Sequence, residues 1–173
     1  MEVEIKVKCD ESEFDRIRHK ITELGGTKAN EKRQKDQYYN LPQKDLRGTR
    51  EYIRVRDEGD ETVLAFHRNI SDGLTHEYET SVGNKKMLDI ILENFGLTKL
   101  GLIDKYREKF LLNEFEICLD KVKDIGTIVE IETDGNKQNW EEKQKSCIEL
   151  LTKLGLSKNK QSKEYLCDIA TRK

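Results

Sequence analysis

The sequence predicts an α+β protein in which eight strands, all able to pair antiparallel, accompany three helices. Two observations lead to this prediction. Apolar residues recur at every second position in eight segments, which is typical of strands with one apolar face. In three other segments they recur at three- and four-residue spacing, which is typical of amphipathic helices. The 173 residues suit one domain, expected over residues 1–173, because about 150 residues per domain is usual.

The strand pattern is clearest at the start of the chain, where Val3, Ile5 and Val7 alternate with charged residues. Because successive side chains of a strand point to opposite faces, one face here is apolar and the other charged. The same alternation predicts seven more strands: Gln34–Asn40, Tyr52–Asp57, Thr62–Arg68, Thr75–Val82, Ile103–Leu112, Glu114–Val122 and Thr127–Thr133.

The helical segments share a periodic apolar stripe followed by a glycine. The stripes are Phe14, Ile17, Ile21 and Leu24; Met87, Leu88, Ile91 and Phe95; and Cys147, Ile148, Leu151 and Leu154. Asp10 and Glu13 have the spacing of a capping box before the first stripe. Gly25, Gly96 and Gly155 stand where a left-handed C-cap needs glycine. A short final helix is also expected around Glu164–Thr171.

Composition excludes several classes of protein. The chain has 34 acidic and 32 basic residues and a net charge of -2, so neither a phosphate-neutralising nucleic-acid binder nor an acidic tail is expected. No basic-then-apolar leader opens the chain, and no run approaches the roughly 20 apolar residues of a membrane span. We therefore expect a cytoplasmic protein without a nucleic-acid or membrane partner. Its oligomeric state stays open, with a dimer as one alternative.

Cysteine and histidine chemistry is not expected. The four cysteines are far apart and include no Cys-x-x-Cys pair, so we expect reduced structural thiols. The three histidines show no metal-ligand spacing.

The polar faces of several predicted strands carry one sign of charge each. The single-signed sets are Arg54 and Arg56; Glu77 and Glu79; Lys105, Arg107 and Lys109; and Glu130 and Glu132. Like charges two residues apart on one strand repel each other, so such sets suggest a face with a binding role. An ordinary solvent-exposed face is the alternative explanation for them. If the sheet curls into a barrel or deep trough, the cations suit phosphates and the carboxylates suit Mg²⁺ or Mn²⁺. No P-loop motif is present, so side chains would hold the phosphates.

Several segments in order resemble the CYTH superfamily, the triphosphate tunnel metalloenzymes, which include class IV (CyaB-type) adenylyl cyclases and thiamine triphosphatases. These segments are Glu2-x-Glu4-x-Lys6, Gln34-x-Asp36-x-Tyr38-Tyr39-Asn40, Ile53-Arg54-Val55-Arg56, Glu77-Tyr78-Glu79, Lys105-x-Arg107, Cys118-Leu119-Asp120-x-Val122 and Gly126-x-Ile128-Val129-Glu130-Ile131-Glu132. The resemblance implies an eight-stranded antiparallel β-barrel, the triphosphate tunnel, with helices packed outside.

The resemblance also implies roles for individual residues. The triphosphate-binding cations would be Lys6, Arg54, Arg56, Lys105 and Arg107. The metal ligands would be drawn from Glu2, Glu4, Glu77, Glu79, Asp120, Glu130 and Glu132. Lys6 and Tyr39 are the candidate catalytic residues, with Tyr38 as the alternative tyrosine and packing as the alternative role for the pair.

Three positions depart from the family pattern. Where cyclase-like members usually carry Lys-Gly-Pro, this chain reads Leu64-Ala65-Phe66-His67-Arg68-Asn69. Alternation places His67 at the lysine position, where among carboxylates its charge could respond to pH near its usual pKa of about 6.5. His76 replaces a common arginine and Asn40 a common aspartate.

The expected function is a metal-dependent enzyme acting on a triphosphate. A class IV adenylyl cyclase, which converts ATP to cyclic AMP and pyrophosphate, is favoured by the overall layout. An inorganic triphosphatase or thiamine triphosphatase is the alternative, because the missing Lys-Gly-Pro weighs against cyclase chemistry. A non-catalytic polyphosphate- or nucleotide-binding module is the third reading, and the retained carboxylates weigh against it.

Overall fold

Eight strands and three helices are found in residues 1–46, 49–71 and 73–157, which the computed structural model describes. The strands are β1 (Glu2–Cys9), β2 (Thr27–Asn40), β3 (Glu51–Asp57), β4 (Thr62–Ser71), β5 (Leu74–Ser81), β6 (Thr98–Leu112), β7 (Phe115–Val122) and β8 (Gly126–Asp134). The helices are α1 (Phe14–Glu23), α2 (Lys85–Asn94) and α3 (Trp140–Lys153). The helix expected around Glu164–Thr171 lies outside the described residues.

The strands form one antiparallel sheet that closes in a ring, with the three helices outside it. The order around the ring is β1-β5-β4-β3-β2-β6-β7-β8. The α+β prediction with an eight-stranded antiparallel barrel is therefore confirmed, and an open trough is not what forms. Among the described residues, no helix combines the length and the apolar character needed to cross a membrane.

Two strands begin well before the starts that the sequence pattern predicted. β2 begins at Thr27 and β6 at Thr98, whereas alternation had placed their starts at Gln34 and Ile103. The first residues of β2 are charged or small and mostly exposed, so they show no apolar period. Their strand conformation depends on pairing with a neighbouring strand, which a single-strand pattern does not reveal.

The described chain divides into two compact units. The first unit contains Met1–Lys32, Ser71–Thr75 and the described residues from Lys105 onward. The second unit contains Arg33–Ile70 and His76–Asp104. Both units contain strand residues that were predicted to lie on polar faces. The single-domain assignment stays a prediction.

In the first unit, α1 and α3 cover the apolar face of the strands. One buried cluster contains Phe14, Ile17 and Ile21 of α1 together with apolar residues of β1, β7 and β8. Leu151 of α3 and Leu154, the C-cap of α3, belong to the same cluster. The Glu13 carboxylate accepts a hydrogen bond of 3.0 Å from the Asp10 N–H before α1, as the capping pattern indicated.

In the second unit, α2 packs on the outer face of the strands through Leu88, which contacts Tyr39 and Val55. The Asn84 side chain caps this helix by accepting a hydrogen bond of 3.0 Å from the Met87 N–H. The glycines after the three helices, Gly25, Gly96 and Gly155, have φ of 90°, 84° and 77°. This left-handed conformation confirms the predicted C-caps, because other residues adopt it only at a cost.

Candidate functional site

The charged residues of the first unit share one face of four neighbouring strands. Register pairs Glu4 with Glu132 and Lys6 with Glu130 across β1 and β8. It pairs Arg107 with Asp120 across β6 and β7. Directly paired residues point to the same face, so predicted cations and predicted acids meet there.

A buried ion-pair network is centred on Asp120. Arg107 donates to both its oxygens, from Nε to Oδ1 at 2.7 Å and from Nη2 to Oδ2 at 2.7 Å. Lys105 Nζ donates to Oδ2 at 3.1 Å, and Asp120 is 0% exposed. Burial acts to raise the pKa of Asp120, but Arg107 and Lys105 outweigh it and hold this pKa below its usual value. The carboxylate therefore stays charged and orients both cations.

Glu130 extends this network to β1. Its Oε2 lies 3.1 Å from Arg107 Nη2 and 3.5 Å from Lys6 Nζ, while Lys6 also donates to the Glu4 carboxylate. Burial acts to lower the pKa of Lys6, but Glu130 and Glu4 outweigh it and raise this pKa. Lys6 is therefore a fixed cation, suited to holding an anion and unsuited to accepting a proton.

Three carboxylates of the first unit are close enough to hold one cation. Glu2, Glu4 and Glu132 offer oxygens that all lie within 4.8 Å of one another. Burial, together with Glu2 and Glu130, raises the pKa of Glu132 well above its usual value, because clustered anions repel. Oxygen donors with excess negative charge are the ligands that Mg²⁺ and Mn²⁺ prefer. The residues present therefore fit a hard divalent cation.

Glu132 also belongs to a second group, with Glu116 and Cys118. Cys118 lies fully buried on the same polar face, between Glu116 and Asp120 along β7. Burial raises the pKa of its thiol well above the usual value, so Cys118 stays protonated. A neutral thiol is a poor ligand for Mg²⁺, and the all-carboxylate group fits this ion better.

The second unit contains two arginines held by carboxylates on the polar face of β3. Arg56 donates from Nε to Asp36 Oδ1 at 2.8 Å and from Nη2 to Oδ2 at 3.0 Å. Arg54 donates from Nη2 to Glu77 Oε1 at 3.0 Å. Its Nε, although buried, has no hydrogen-bond partner among the described residues. A buried donor left unsatisfied is costly, so this atom is placed to bind an acceptor from a ligand.

His67 lies on the same face as Arg54, as alternation indicated. It pairs with Tyr52 in register and stacks on that ring at 4.3 Å between centroids. Its Nε2 is 2.9 Å from Glu77 Oε1, but the two groups are not aligned as a hydrogen bond. Burial lowers the pKa of His67 to about 4. The expected titration near 6.5 is therefore corrected: at neutral pH the imidazole is uncharged.

Tyr39, one of the two candidate catalytic residues, does not lie on the polar face of β2. Tyr39 pairs with Ile53, is fully buried, and donates a hydrogen bond of 3.0 Å to Asp89 of α2. It therefore lies on the apolar side of β2. Tyr38 pairs with Arg54 and is the tyrosine of the polar face.

Glu79, Asn40 and His76 each make a polar contact within the second unit. Glu79 Oε2 lies 3.5 Å from Arg54 Nη2, and burial together with Glu77 raises the pKa of Glu79. Asn40 accepts a hydrogen bond of 2.6 Å from the Leu46 N–H. His76 approaches the Tyr78 hydroxyl, with 3.0 Å between Nδ1 and the oxygen.

Sequence reasoning missed two acids of the polar faces. Asp36 was noted only within a family-like segment, and Glu116 received no role. Both stand at alternating positions, two residues from Tyr38 and Cys118 respectively. Residues two apart on a strand share a face, so this spacing in the sequence could have identified both acids as members of the polar face.

Comparison with known proteins identifies the family. The family model described as the CYTH domain matches residues 1–166. The chain belongs to the CYTH domain family. The resemblance drawn from the motifs is thereby confirmed, and the closed ring of strands agrees with the structures of related proteins.

Individual relatives cover nearly the whole CYTH chain. A Methanocaldococcus jannaschii protein named "Putative adenylate cyclase" is 29% identical over 163 residues, which are 92% of either chain. The PH1012 protein of Pyrococcus horikoshii is 23% identical with a TM-score of 0.86, covering 97% of this chain and 98% of its own. A Hippeastrum protein, named a putative adenylyl cyclase that reveals a dominant triphosphatase activity, is 17% identical with a TM-score of 0.62, covering 90% of this chain and 89% of its own. At such identities the solved structures support the fold alone.

Proposed function

We propose that this CYTH protein is a metal-dependent enzyme acting on a triphosphate, with class IV adenylyl cyclase as the first candidate reaction. The observation that carries the proposal is the polar face of the first unit. There Lys6, Lys105 and Arg107 lie on the same face as the Glu2, Glu4 and Glu132 group. Phosphate-binding cations and hard-metal ligands together are what a metal-triphosphate substrate requires.

Charge on this face supports a requirement for metal. It carries four cations, Lys6, Lys105, Arg107 and Lys109, against six carboxylates, Glu2, Glu4, Glu116, Asp120, Glu130 and Glu132. A polyphosphate alone would meet an excess of negative charge. One divalent cation neutralises that excess, so we propose Mg²⁺ or Mn²⁺ as the cofactor.

The residues of the first unit have distinct roles in this proposal. Glu2, Glu4 and Glu132 hold the metal, which when bound supplies neutralisation of phosphate charge. Lys6, Lys105 and Arg107 bind phosphate oxygens.

Asp120 was predicted as a metal ligand, but its contacts with Lys105 and Arg107 favour a positioning role. Glu130 likewise fixes Lys6 and Arg107. Holding these donors in place before the reaction lowers the reorganisation needed at the transition state.

In the second unit, Arg54 and Arg56 are the proposed phosphate-binding residues. Arg54 presents its unsatisfied Nε, and Asp36 fixes the guanidinium of Arg56. Glu77 and Glu79 remain candidate metal ligands, although Arg54 contacts both. A neutral His67 supplies no charge where the family resemblance places a lysine.

Hydrolysis of inorganic or thiamine triphosphate is the second candidate. The neutral His67 and the triphosphatase activity named for the Hippeastrum protein favour it. A non-catalytic binding module is the third, and it leaves the carboxylate group unexplained. We further propose a cytoplasmic location and a single domain over residues 1–173.

Product identification distinguishes these candidates. Purified protein is incubated with ATP, tripolyphosphate and thiamine triphosphate, each with Mg²⁺ or Mn²⁺. Cyclic AMP and pyrophosphate from ATP would support the cyclase, whereas orthophosphate without cyclic AMP would replace it with the triphosphatase. Tight triphosphate binding without turnover would leave the binding module.

A further inference from the structure

Gln34 is a buried residue of the second unit that the proposed function leaves without a role. Its side chain is only 5% exposed, and its Nε2 donates a hydrogen bond of 2.6 Å to Glu58 Oε1. Its Oε1 is also buried, but it accepts no hydrogen bond from any described residue. Because buried acceptors are normally satisfied, this oxygen is placed to accept a hydrogen bond from a ligand.

The contact with Glu58 determines which end of the Gln34 amide has no partner. An ionised carboxylate accepts hydrogen bonds and donates none, so the NH₂ group of Gln34 faces Glu58. The opposite orientation of the amide would place two acceptor oxygens against each other. The atom without a partner is therefore an acceptor, and a ligand that satisfies it supplies an N–H or O–H group.

Gln34 lies on the same polar face as the two proposed phosphate-binding arginines. Asp36 and Tyr38 follow it at every second position of β2, and they pair in register with Arg56 and Arg54. Residues two apart on a strand share a face. At the usual rise per residue, Gln34 is roughly 7 Å along the strand from the Asp36–Arg56 pair and roughly 13 Å from the level of Arg54.

Arg54 and Gln34 require opposite kinds of partner on this face. Arg54 Nε is a buried donor without a described partner, and a phosphate oxygen satisfies it. Gln34 Oε1 is an acceptor and needs a donor. Ionised inorganic tripolyphosphate offers acceptor oxygens only, so it satisfies the arginine and leaves the amide oxygen unpaired. A triphosphate whose organic group carries an N–H or O–H satisfies both atoms.

We propose that Gln34 is a specificity-determining residue that accepts a hydrogen bond from the organic group of an organic triphosphate. It thereby favours this class of substrate over inorganic tripolyphosphate, because a site built to bond an N–H or O–H discriminates against a ligand that lacks it. This inference rests on the proposed triphosphate function and names the substrate class. A base amino group and a ribose hydroxyl are both donors of the required kind.

Calorimetric titration of the full chain with ATP and with tripolyphosphate tests the proposal. Ca²⁺ replaces Mg²⁺, because it binds oxygen ligands without the octahedral geometry that Mg²⁺ requires, which should slow turnover during the titration. Gln34→Met nearly keeps the length of the side chain and removes the acceptor. Affinity for ATP should fall by about 10-fold, whereas affinity for tripolyphosphate should change by less than about 2-fold.

The matched control is Gln37→Met on the opposite face of β2. There the Gln37 amide donates to the carbonyls of Tyr38 and Gly101 at 3.1 and 2.8 Å. This variant should leave the affinities for both ligands unchanged. Urea denaturation confirms that each variant is folded under the conditions of the titration.

Two further ligands identify the donor and need no variant. Purine riboside triphosphate lacks the amino group of ATP, and dideoxy-ATP lacks both ribose hydroxyls. The ligand that has lost the donor should bind the wild-type chain about 10-fold more weakly than ATP does. Gln34→Met should then have no further effect on that ligand, because the two changes remove the same hydrogen bond.

Failure of this proposal is distinguishable from failure of the proposed function. Gln34→Met that weakens ATP and tripolyphosphate equally, or neither, would overturn the role of Gln34 while triphosphate binding stands. So would a wild-type chain that binds both ATP analogues as tightly as ATP. A wild-type chain that binds no triphosphate would overturn both proposals. Arg54→Ala should weaken ATP and tripolyphosphate alike, since both carry the phosphate oxygens that Arg54 is proposed to bind.

Discussion

The two units use the same alternating charge pattern to build different environments. In the first unit, Lys105 and Arg107 are fixed on Asp120, a carboxylate that is 0% exposed. In the second, Arg54 shares Glu77 with the uncharged His67 and leaves its Nε without a described partner. Charged residues at every second position therefore do not by themselves define a site. The partners on neighbouring strands determine which charged side chains are held in ion pairs and which have atoms available to a ligand.

A substitution that breaks the buried network of the first unit should have the largest effect. Asp120→Asn leaves Lys105 and Arg107 buried without their shared anion, so we expect a loss of roughly 3–5 kcal/mol in the free energy of unfolding. Urea denaturation measures this loss. A variant as stable as the wild type would show that Asp120 does not hold the network together.

His67 in the second unit should make stability depend on pH between about pH 6.5 and 4. The folded pKa of His67, about 4, lies below the usual value, so the unfolded chain binds more protons in this window. The contribution of His67 to stability should therefore fall as pH is lowered, with a slope of up to about 1.4 kcal/mol per pH unit. The raised pKa of Glu132 in the first unit has the opposite effect in this window, so the contribution of His67 is obtained from the difference between the wild type and a His67 variant.

Denaturation at several pH values with His67→Gln tests this assignment. The slope between pH 6.5 and 4 should flatten in this variant. The exposed His19→Gln is the control and should keep the wild-type slope. If His67→Gln also kept it, the pH dependence would have to come from other groups.

Removal of a proposed metal ligand should have a smaller but clear effect confined to metal binding. Glu132→Gln takes one carboxylate from the group it forms with Glu2 and Glu4, so affinity for Mn²⁺ should fall by about 10–100-fold. Calorimetric titration measures it, with exposed Glu149→Gln on α3 as the control. Unchanged affinity would place the metal elsewhere.

The smallest effect is expected at an exposed ion pair with the same geometry as the buried one. Arg33 donates to both oxygens of Asp104 at 2.8 and 2.6 Å in the second unit, much as Arg107 does to Asp120. Because Arg33 is exposed to solvent, its pair is screened and weak. Asp104→Asn should leave the urea midpoint unchanged, and a loss matching that of Asp120→Asn would show that burial does not set the difference.

The sequence predicted the three described helices and all eight strands, because both kinds of element leave a periodic apolar signal. It also placed the charged residues on one face, since alternation alone determines that. It did not predict the start of β2 at Thr27, where pairing rather than pattern extends the strand. It left Tyr38 and Tyr39 as alternatives, because two adjacent tyrosines cannot be assigned to opposite faces until the register with Arg54 is known. The contact of Asp120 with Arg107 likewise depends on the register of β6 with β7, which the sequence does not reveal.

The most direct test of the proposed function combines metal removal with one variant from each unit. Triphosphate turnover should stop with EDTA and return with Mg²⁺ or Mn²⁺. Glu4→Gln in the first unit and Arg54→Ala in the second should each lower turnover by at least about 100-fold, the usual loss for a charge-stabilising contact. Turnover is compared under conditions where urea denaturation shows both variants to be folded, because Arg54 is itself part of a buried ion pair. Full activity in both variants, or turnover that EDTA does not affect, would contradict a metal-dependent triphosphate enzyme built on these polar faces.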